Sequence, residues 1–461
     1  MRRLVIKDLE GDIENRTARI SVIGQGYIGL PTSLLMAKAG FQVLGFDINE
    51  ELIRELSKGR TRLDREEGIQ ELISSLLGER YIPTNDERDL MGSDIVLIAV
   101  PTPKNANGPD LRMVISALET ALRVIREGGL IIIESTLPPG TFERIIVPTV
   151  KKHGFSIGSN IYLAYCPERA LPGRLINELV NNVRVIGAID DRSAQLTKLL
   201  YKTFVRGEIE LVDPLTAEVV KLVENSFRDV NIAFANEVAR ICEALGIDVR
   251  KVRELANKHP RVNLLVPGIG VGGSCLTKDP LFLYWASLEN GYEPIILKRA
   301  RDLNANMPYH YASILDDVVR NIKNGETGTI AVLGATYKGD VPDSRESPVE
   351  PFVRELLRKG HRVKVYDPLV TEAFGGEYVS NIFEAVRGAD AIAFVTDHSE
   401  FRFLNLSKLR KAVKVEDPVV LFDGRMIFNP KEVEEAGFIY ISVGMSLSTH
   451  KLPIKEFITV R

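Results

Sequence analysis

The stretch ARISVIGQGYIGLPTSLLMAKAGFQVLGFDIN, residues 18–49, decides the fold of the first part of the chain. An apolar strand at 20–23 runs into the turn GQGYIG at 24–29, and a helical segment then leads to a second strand that ends in Asp47. A strand, a glycine turn, a helix and a further strand form the context in which a G-x-G-x-x-G sequence binds a dinucleotide. The stretch therefore predicts a dinucleotide-binding domain of the Rossmann type.

The three glycines of this turn have different predicted tasks. Gly24 makes the tight turn, Gly26 lets the backbone approach a pyrophosphate, and Gly29 lets the helix pack closely on the strand. Asp47 lies about 20 residues further on, where a carboxylate binds the ribose hydroxyls of NAD and repels the 2′-phosphate of NADP. The predicted cofactor is therefore NAD. Two more residues of the turn complete its candidate contacts: Tyr27 and Ile28.

Three further apolar runs extend the predicted sheet. DIVLIAVPTP (94–103), GGLIIIESTLPPGT (128–141) and NIYLAYCPERA (160–170) each predict a strand buried on both faces and followed by a polar or proline-rich loop. In doubly wound sheets, ligands bind at the carboxyl ends of the strands. Polar side chains at those ends are therefore candidate ligand contacts: Thr102, Ser135, Thr136 and Glu168.

A long helix follows the first sheet. Asp213 is suited to cap it and Pro214 to occupy its first position, and apolar residues recur at helical spacing as far as EALGID at 243–248. A second helical stretch runs from about Ile295 to Arg320, without strand signals in either helix. The middle of the chain is therefore predicted to be helical.

The last third repeats the first in outline. TIAVLGATYKGD is a predicted strand that ends in glycine, and HRVKVYDP is one that ends in Asp367 as the second strand of the chain ends in Asp47. The loop after Gly334 lacks the second and third fingerprint glycines, which predicts a doubly wound sheet for another nucleotide-type ligand. Its loops carry three basic residues that suit contacts with phosphate or uracil: Lys338, Arg345 and Arg425. The alternative for each is a solvated surface charge.

Composition narrows the class of protein. The chain has 461 residues, 45% hydrophobic and 26% charged, with a net charge of −3. Such a balance predicts a globular protein of several domains without nucleic acid or a membrane as partner. We read no signal peptide and no apolar run long enough for a membrane span. Three widely spaced cysteines favour the cytoplasm over a disulfide framework, and no metal site is predicted.

The stretch GVGGSCLTKDP, 270–280, carries the strongest catalytic signal. Two glycines before Cys275 are expected to allow positive φ and to leave space through which a substrate carbonyl reaches the sulfur. Lys278 is expected to favour the thiolate, and Asp279 to position water or act as a base. The alternative is a buried structural cysteine, which is the interpretation we prefer for Cys166 and Cys242.

The long helix adds Lys221 and Asn225, four residues apart and therefore on one face. An ammonium beside an amide suits a developing oxyanion, although an exposed helix face is the simpler alternative. Together with a nicotinamide cofactor and Cys275, these residues predict a two-step oxidation. The thiol adds to an aldehyde, a second hydride transfer gives a thioester, and water releases a carboxylate.

At this point the chain resembles the UDP-glucose/GDP-mannose dehydrogenase family. The resemblance covers Gly24 to about Pro430 and rests on seven stretches: GQGYIGLP, VPTP, ESTLPPGT, CPERALPG, AEVVKLVENSFRDVNIAFANE, HPRVN…PGIGVGGSCLTKDP and YKGDVPDSRES. The branch that oxidises UDP-N-acetyl-D-mannosamine looks most similar. Ser274 and Lys278 depart from that branch and match the UDP-glucose branch instead.

The resemblance implies roles for individual residues. Cys275 is the nucleophile, Lys221 and Asn225 stabilise the alkoxide and oxyanion, and Asp279 supports Lys221 and the water. The implied cofactor and water contacts include Thr102, Thr136 and Glu168, the last also as general base. The implied substrate contacts are Glu168, Arg169, Lys221, Asn225, Gly268, Gly272, Gly273, Lys338, Arg345, Arg425 and, from a neighbouring subunit, Arg261.

The implied fold class is α/β, with two doubly wound Rossmann-like domains joined by a helical central domain. The expected divisions are an NAD-binding domain at 1–212, a catalytic and dimerisation domain at 213–320 and a UDP-sugar-binding domain at 321–461. The implied protein is at least a homodimer that oxidises C6 of UDP-N-acetyl-D-mannosamine by four electrons. Alternatives are UDP-glucose or UDP-N-acetylglucosamine as substrate, a two-electron β-hydroxyacid dehydrogenase, and a nucleotide-sensing regulator without activity.

Overall fold

The computed structural model describes residues 8–63, 66–105, 108–170 and 173–445. Positions 171–172 of the CPERALPG stretch and the two chain ends therefore lie outside the described residues. The chain separates into two compact units. We call residues 1–224 with 285–292 the N-terminal unit, and residues 225–284 with 293–461 the C-terminal unit. The division falls within the long helix, and the three predicted domains remain a prediction.

The strands are numbered along the chain. They are β1 (Arg19–Ile23), β2 (Gln42–Phe46), β3 (Tyr81–Thr84), β4 (Ser93–Ile98), β5 (Lys104–Asn105), β6 (Gly108–Pro109), β7 (Ile125–Ile133), β8 (Ile161–Tyr165), β9 (Arg184–Ala188), β10 (Ile209–Val212), β11 (Thr329–Leu333), β12 (Arg362–Tyr366), β13 (Glu377–Tyr378), β14 (Ala391–Phe394), β15 (Val419–Asp423) and β16 (Phe438–Ser442).

The helices are numbered in the same way. They are α1 (Leu9–Glu14), α2 (Gly29–Lys38), α3 (Glu50–Leu56), α4 (Ile69–Leu76), α5 (Arg112–Val124), α6 (Val147–Lys152), α7 (Leu175–Asn181), α8 (Asp191–Tyr201), α9 (Pro214–Leu245), α10 (Val249–Ala256), α11 (Asp279–Glu289), α12 (Ile295–Ile322), α13 (Val349–Arg358), α14 (Ile382–Ala385), α15 (Ser399–Arg402), α16 (Leu406–Val413) and α17 (Pro430–Glu435). No helix in the described part of the chain combines the length and apolarity that crossing a membrane requires.

The sheet of the N-terminal unit has the strand order β10-β9-β8-β7-β4-β1-β2-β3. All its pairs are parallel except β8 with β9. Successive residues of the central strands enter cores on opposite faces, with Ile95 and Leu97 on one side and Val96 and Ile98 on the other. The order reverses between β1 and β4, so a ligand is expected at the carboxyl ends of these two strands.

The C-terminal unit contains a second sheet with the order β13-β12-β11-β14-β15-β16. Every pair in it is parallel, and its central strands again alternate between two apolar cores. From β13 to β16 this order repeats the arrangement that β3-β2-β1-β4-β7-β8 has in the first sheet. The predicted fold class, with two doubly wound sheets and a helical segment between them in sequence, is confirmed.

The long helices also begin and end close to their predicted positions. The Asp213 side chain accepts a hydrogen bond from the Thr216 N–H at 2.9 Å, directly before α9 begins at Pro214. This contact satisfies one of the free N–H groups at the start of the helix. The other predicted helix, α12, continues to Ile322 with Pro308 inside it.

Candidate active site

The glycine turn after β1 has a different geometry at each glycine. Gly24 has a φ of +95°, and a Cβ there would lie 2.4 Å from the Ala99 carbonyl oxygen. A Cβ at Gly29 would lie 1.8 Å from the Gly24 carbonyl oxygen, so α2 packs directly on the turn. At Gly26, a Cβ would meet no atom within 4 Å. The turn therefore leaves open space only at the glycine that is predicted to face a pyrophosphate.

Asp47 is tied to the same turn. Its Oδ2 accepts from the Gln25 N–H at 2.8 Å, and its Oδ1 accepts from the Asn49 N–H at 2.9 Å. The buried Gln25 side chain in turn accepts a hydrogen bond from the Tyr81 hydroxyl at 2.8 Å. Sequence reasoning missed Gln25, because the second fingerprint position carries no residue preference that would have pointed to it.

The other residues predicted to contact the cofactor differ in their burial and in the hydrogen bonds that their side chains make. The Tyr27 hydroxyl donates to Glu66, which leaves its backbone as the candidate contact, and Ile28 directly precedes α2. Thr136 is half-buried in the loop after β7. The Thr102 Oγ1, in the loop after β4, is buried and has no hydrogen-bond partner among the described residues. The open space at Gly26 and this unpaired hydroxyl fit a dinucleotide, whose contacts remain predictions.

Glu168 and Arg169 follow β8 and are both engaged within the N-terminal unit. Glu168 Oε1 accepts from the N–H groups of Arg169 at 2.6 Å and Ala170 at 2.5 Å, and its Oε2 accepts from Arg184 at 2.9 Å. The Arg169 guanidinium forms a bidentate ion pair with Glu224 on α9. Arg169 was predicted to contact substrate, but here it connects the β8 loop to the long helix.

Lys221 occupies an unusual position on α9. The residue is 8% exposed, and its Nζ has neither an ion pair nor a hydrogen bond among the described residues. Glu218, one turn earlier, accepts from the N–H groups of Gly140 at 2.6 Å and Phe142 at 2.8 Å. Burial raises the pKa of Glu218 to about 7, although these two donors oppose the rise. The turn that carries Lys221 is thus attached to the ESTLPPGT loop.

The three cysteines differ in their burial as predicted. Cys275, in the loop before α11, is exposed, whereas Cys242 is buried on α9. Cys166, in the N-terminal unit, is also buried, and burial raises its pKa to about 12. All three are free thiols, and Cys275 alone among them is accessible to a substrate.

The two glycines before Cys275 act differently from the expectation. Gly273 has the predicted positive φ, +87°, but Gly272 does not. A Cβ at Gly272 would lie 2.6 Å from the Glu346 carbonyl oxygen, and one at Gly273 would lie 2.8 Å from the Tyr337 ring. These glycines are required because another loop of the same unit packs on them. The positions of the glycine Cβ atoms are therefore filled, whereas Cys275 itself is exposed, and access of a substrate carbonyl to the sulfur stays a prediction.

Lys278 also departs from its expected task. Its Nζ donates to Asp279 Oδ1 at 2.7 Å and lies 4.7 Å from the centre of the Phe282 ring. Asn225 Nδ2 donates to the other Asp279 oxygen at 2.6 Å. Lys278 therefore neutralises the fully buried Asp279 carboxylate instead of serving the thiol. Two residues that were predicted separately for the site, Asn225 and Asp279, are thus in direct contact.

Arg345 is held by a neighbouring carboxylate. Its side-chain hydrogen bond with Asp343 raises the pKa of Arg345. Arg345 is exposed and pairs with Asp343 at 2.7 Å, and Lys338 is also exposed. Arg261 is exposed in the segment after α10. Its guanidinium makes no hydrogen bond to any other described residue.

Arg425 lies beside the glycine loop that was predicted to contact substrate. A Cβ at Gly268 would lie 3.0 Å from Arg425 Nη1. Arg425 Nη2 donates to Asp397 Oδ1 at 3.2 Å, while its buried Nε has no partner among the described residues. The Gly268 N–H donates to Asn236 Oδ1 at 2.9 Å, which fixes the loop from α9. A free guanidinium donor next to a glycine loop suits a diphosphate or a sugar hydroxyl.

The sheet, the glycine turn with its following carboxylate, and the exposed thiol are features of a nicotinamide-dependent dehydrogenase. The domain signatures of one family match three successive parts of the chain: the NAD binding domain at 18–205, the central domain at 215–306 and the UDP binding domain at 331–430. The protein belongs to the UDP-glucose/GDP-mannose dehydrogenase family and is an NAD-dependent oxidoreductase.

Individual relatives agree with this assignment. The UDP-N-acetyl-D-mannosamine dehydrogenase of Methanococcus aeolicus is 41% identical over 91% of this chain and 94% of its own length. That of Pyrococcus horikoshii is 40% identical over 92% and 99%, and its solved structure superposes with a TM-score of 0.85. The UDP-glucose dehydrogenase of Pyrobaculum islandicum is 29% identical over 93% and 98%, with a TM-score of 0.82.

Proposed function

We propose that this protein oxidises the C6 hydroxyl of UDP-N-acetyl-D-mannosamine to the carboxylate of UDP-N-acetyl-D-mannosaminuronate. The similarity that carries the proposal is the one to the Methanococcus and Pyrococcus enzymes named for this substrate, which extends over nine-tenths of the chain. The match of 331–430 to a UDP binding domain supports a UDP-sugar as ligand. A cytoplasmic location is part of the proposal, supported by three free cysteines.

The chemistry assigns one task to each part of the site. The turn after β1 would hold NAD, which would supply the hydride acceptor for each of two successive oxidations. Cys275 adds to the C6 aldehyde and holds it as a thiohemiacetal, so that the aldehyde does not leave between the two oxidations. Water then attacks the resulting thioester, the C–S bond breaks, and the thiolate and the carboxylate are released with their protons passing to bases and solvent.

Lys221, Asn225 and Asp279 are proposed to serve the oxygen on which charge develops, and Glu168 and Thr136 to serve the attacking water. Lys221, a buried ammonium without another partner in the described structure, stabilises the C6 alkoxide and later the tetrahedral adduct. Asn225 on α9 donates to Asp279, four residues after Cys275, so the amide and the carboxylate hold each other in one orientation. Glu168 is the proposed base that takes a proton from the attacking water, with Thr136 as a further water contact.

The ratio of products tests this proposal. UDP-N-acetylmannosamine, UDP-N-acetylglucosamine and UDP-glucose are incubated separately with NAD, and NADH and sugar products are measured on one sample by absorbance and mass spectrometry. We expect two NADH per uronate from UDP-N-acetylmannosamine and no aldehyde trapped by a hydrazine. Preference for another sugar would overturn the substrate assignment. One NADH per product would overturn the thioester route and support a two-electron dehydrogenase.

We further propose that two copies of the chain form the active unit. The faces of α9 and α12 expose large apolar side chains, among them Phe227 at 70%, Phe234 at 59% and Ile296 at 69%. These helices border a groove of about 890 Å³. A water-exposed apolar surface of this kind is rare on a monomer, and a second α9 supplies a matching apolar face. Arg261, exposed in the segment after α10, is proposed to reach the neighbouring site.

Light scattering after size exclusion tests the assembly. We expect Phe234→Glu to lower the measured mass to that of a monomer, since it places a charge in the apolar contact. Phe403→Glu is the matched control, because Phe403 is 86% exposed and, lying between α15 and α16, does not line this groove. An unchanged mass for Phe234→Glu would contradict this interface.

A further inference from the structure

A buried charge cluster lies where β7, β8 and β9 meet in the N-terminal unit. Glu134 directly follows β7, Glu168 follows β8, and Arg184 is the first residue of β9. The side chains of Arg184 and Glu168 are only 3% and 9% exposed. Burying charged groups is costly unless they are paired, so two carboxyls around a single guanidinium require an explanation.

The Arg184 guanidinium is held on three sides. Its Nη1 donates to Glu168 Oε2 at 2.9 Å, and its Nη2 donates to the Leu179 carbonyl oxygen at 3.3 Å. Its Cζ lies 5.2 Å from the centre of the Tyr201 ring, within the range of a cation–π contact. With the backbone N–H groups of two following residues on its other oxygen, the Glu168 carboxylate has a single fixed orientation.

Glu134 completes the cluster without competing for Arg184. It accepts from the Tyr201 hydroxyl at 2.5 Å and from Thr32 Oγ1 at 3.3 Å. Burial raises the pKa of Glu134 to about 7, although Arg184 opposes the rise. The titratable groups around it are Arg184, Glu168, Tyr201 and Cys166. When Glu134 is protonated and neutral, the Glu168 carboxylate alone balances the positive charge of Arg184.

Stability gives only a weak reason for this arrangement. A buried ion pair is often no more stabilising than apolar side chains of the same volume, because its attraction is offset by the loss of hydration. We propose that Arg184 is a positioning residue, which fixes the Glu168 carboxylate in one orientation and balances its charge for proton transfer. The inference rests on the proposed role of Glu168 as the base in thioester hydrolysis.

The step that depends on Arg184 is the last one of the reaction. Glu168 takes a proton from water as the water oxygen bonds to the thioester carbon, and the C–S bond to Cys275 then breaks to release the thiolate. Arg184 is proposed to act only through Glu168, since it is buried and both of its terminal nitrogens are engaged inside the unit. Removal of Arg184 is therefore expected to slow hydrolysis while leaving the two oxidations and NAD binding almost unchanged.

The test is a double-mutant cycle between Arg184→Gln and Glu168→Gln. Single turnovers with the preferred UDP-sugar give the NADH burst by absorbance and the covalent thioester by quenching and mass spectrometry. We expect Glu168→Gln to slow hydrolysis by about 10²–10⁴-fold, the usual contribution of a base. Arg184→Gln should slow it by about 10–100-fold, with a normal burst, and by less than about twofold in the Glu168→Gln background.

Two further variants keep the test decisive. Arg184→Lys retains the buried charge, so it replaces Arg184→Gln in the test if the glutamine variant fails to fold. It is expected to shift the pH profile of hydrolysis towards alkaline pH. Arg192→Gln is the control, because Arg192 forms an exposed ion pair with Glu10 in the same unit. Equal losses from Arg184 variants in both backgrounds would overturn the inference. Normal hydrolysis in Glu168→Gln would instead overturn the base assignment itself.

Discussion

Replacing Gly26 by alanine should separate cofactor binding from folding. The added Cβ meets no protein atom within 4 Å, and the φ of Gly26 lies outside the left-handed region. Alanine in a compatible conformation stabilises a protein by about 0.4–1 kcal/mol, because it restricts the unfolded chain. We therefore expect the Tm of Gly26→Ala to stay level or to rise by about 1–3 °C.

The effect of Gly26→Ala on NAD affinity should be unfavourable, in contrast to its effect on stability. The methyl group would occupy the open space through which the turn is predicted to approach the pyrophosphate. Forcing a methyl group into a well-packed contact costs about 1–3 kcal/mol. Since 1.4 kcal/mol corresponds to a factor of ten, the Kd for NAD should rise about 5- to 150-fold. Isothermal titration with NAD and thermal unfolding of the same sample measure both effects.

Gly29→Ala is the matched comparison. Its Cβ would lie 1.8 Å from the Gly24 carbonyl oxygen, a backbone atom that moves only if α2 moves. This variant should lose both stability and NAD affinity, in contrast to Gly26→Ala. Wild-type affinity in Gly26→Ala would show that NAD does not approach along the glycine turn. A clear fall in its Tm would refute the conclusion that the position is open.

Four further predictions follow from the same features. Cys275→Ser should stop uronate formation while the Kd for NAD is unchanged; near-normal turnover by mass spectrometry would exclude the nucleophile role. Asp47→Asn should reduce the preference for NAD in kcat/KM, and an unchanged ratio of NAD to NADP would mean that this carboxylate does not face the 2′ position. Co-expressed Arg261→Ala and Cys275→Ala chains should regain part of the activity that each lacks, and heterodimers without activity would contradict a shared site. Burial raises the pKa of Glu218 to about 7, so the folded protein binds a proton at this carboxyl more readily than the unfolded chain does. The stability of the wild type relative to Glu218→Gln should therefore rise as pH falls from 8 to 5.5. A difference in Tm between the two proteins that stays constant with pH would refute this prediction.

Local sequence patterns were enough to predict the main helices and strands and the sheet of the NAD binding domain. The glycine turn requires positive φ at Gly24 and contact between helix and strand at Gly29, and both requirements can be recognised from residues less than ten positions apart. The start of α9 was equally predictable, because Asp213 and Pro214 are adjacent to the helix that they begin. Matching strand ends such as Asp47 and Asp367 also predicted that the last third repeats the first in outline, whereas the strand order itself came from the structure.

Only the tertiary structure decided which charges pair and which stay free. Arg169 meets Glu224 across 55 positions, and Arg184 meets Glu168 across 16. Lys278 pairs with its neighbour Asp279 because that carboxylate is fully buried, and burial is a property of the folded chain. Electrostatic partners depend on distance and on solvent exposure, both of which are set by how separate segments pack, so a pattern within one segment does not contain them.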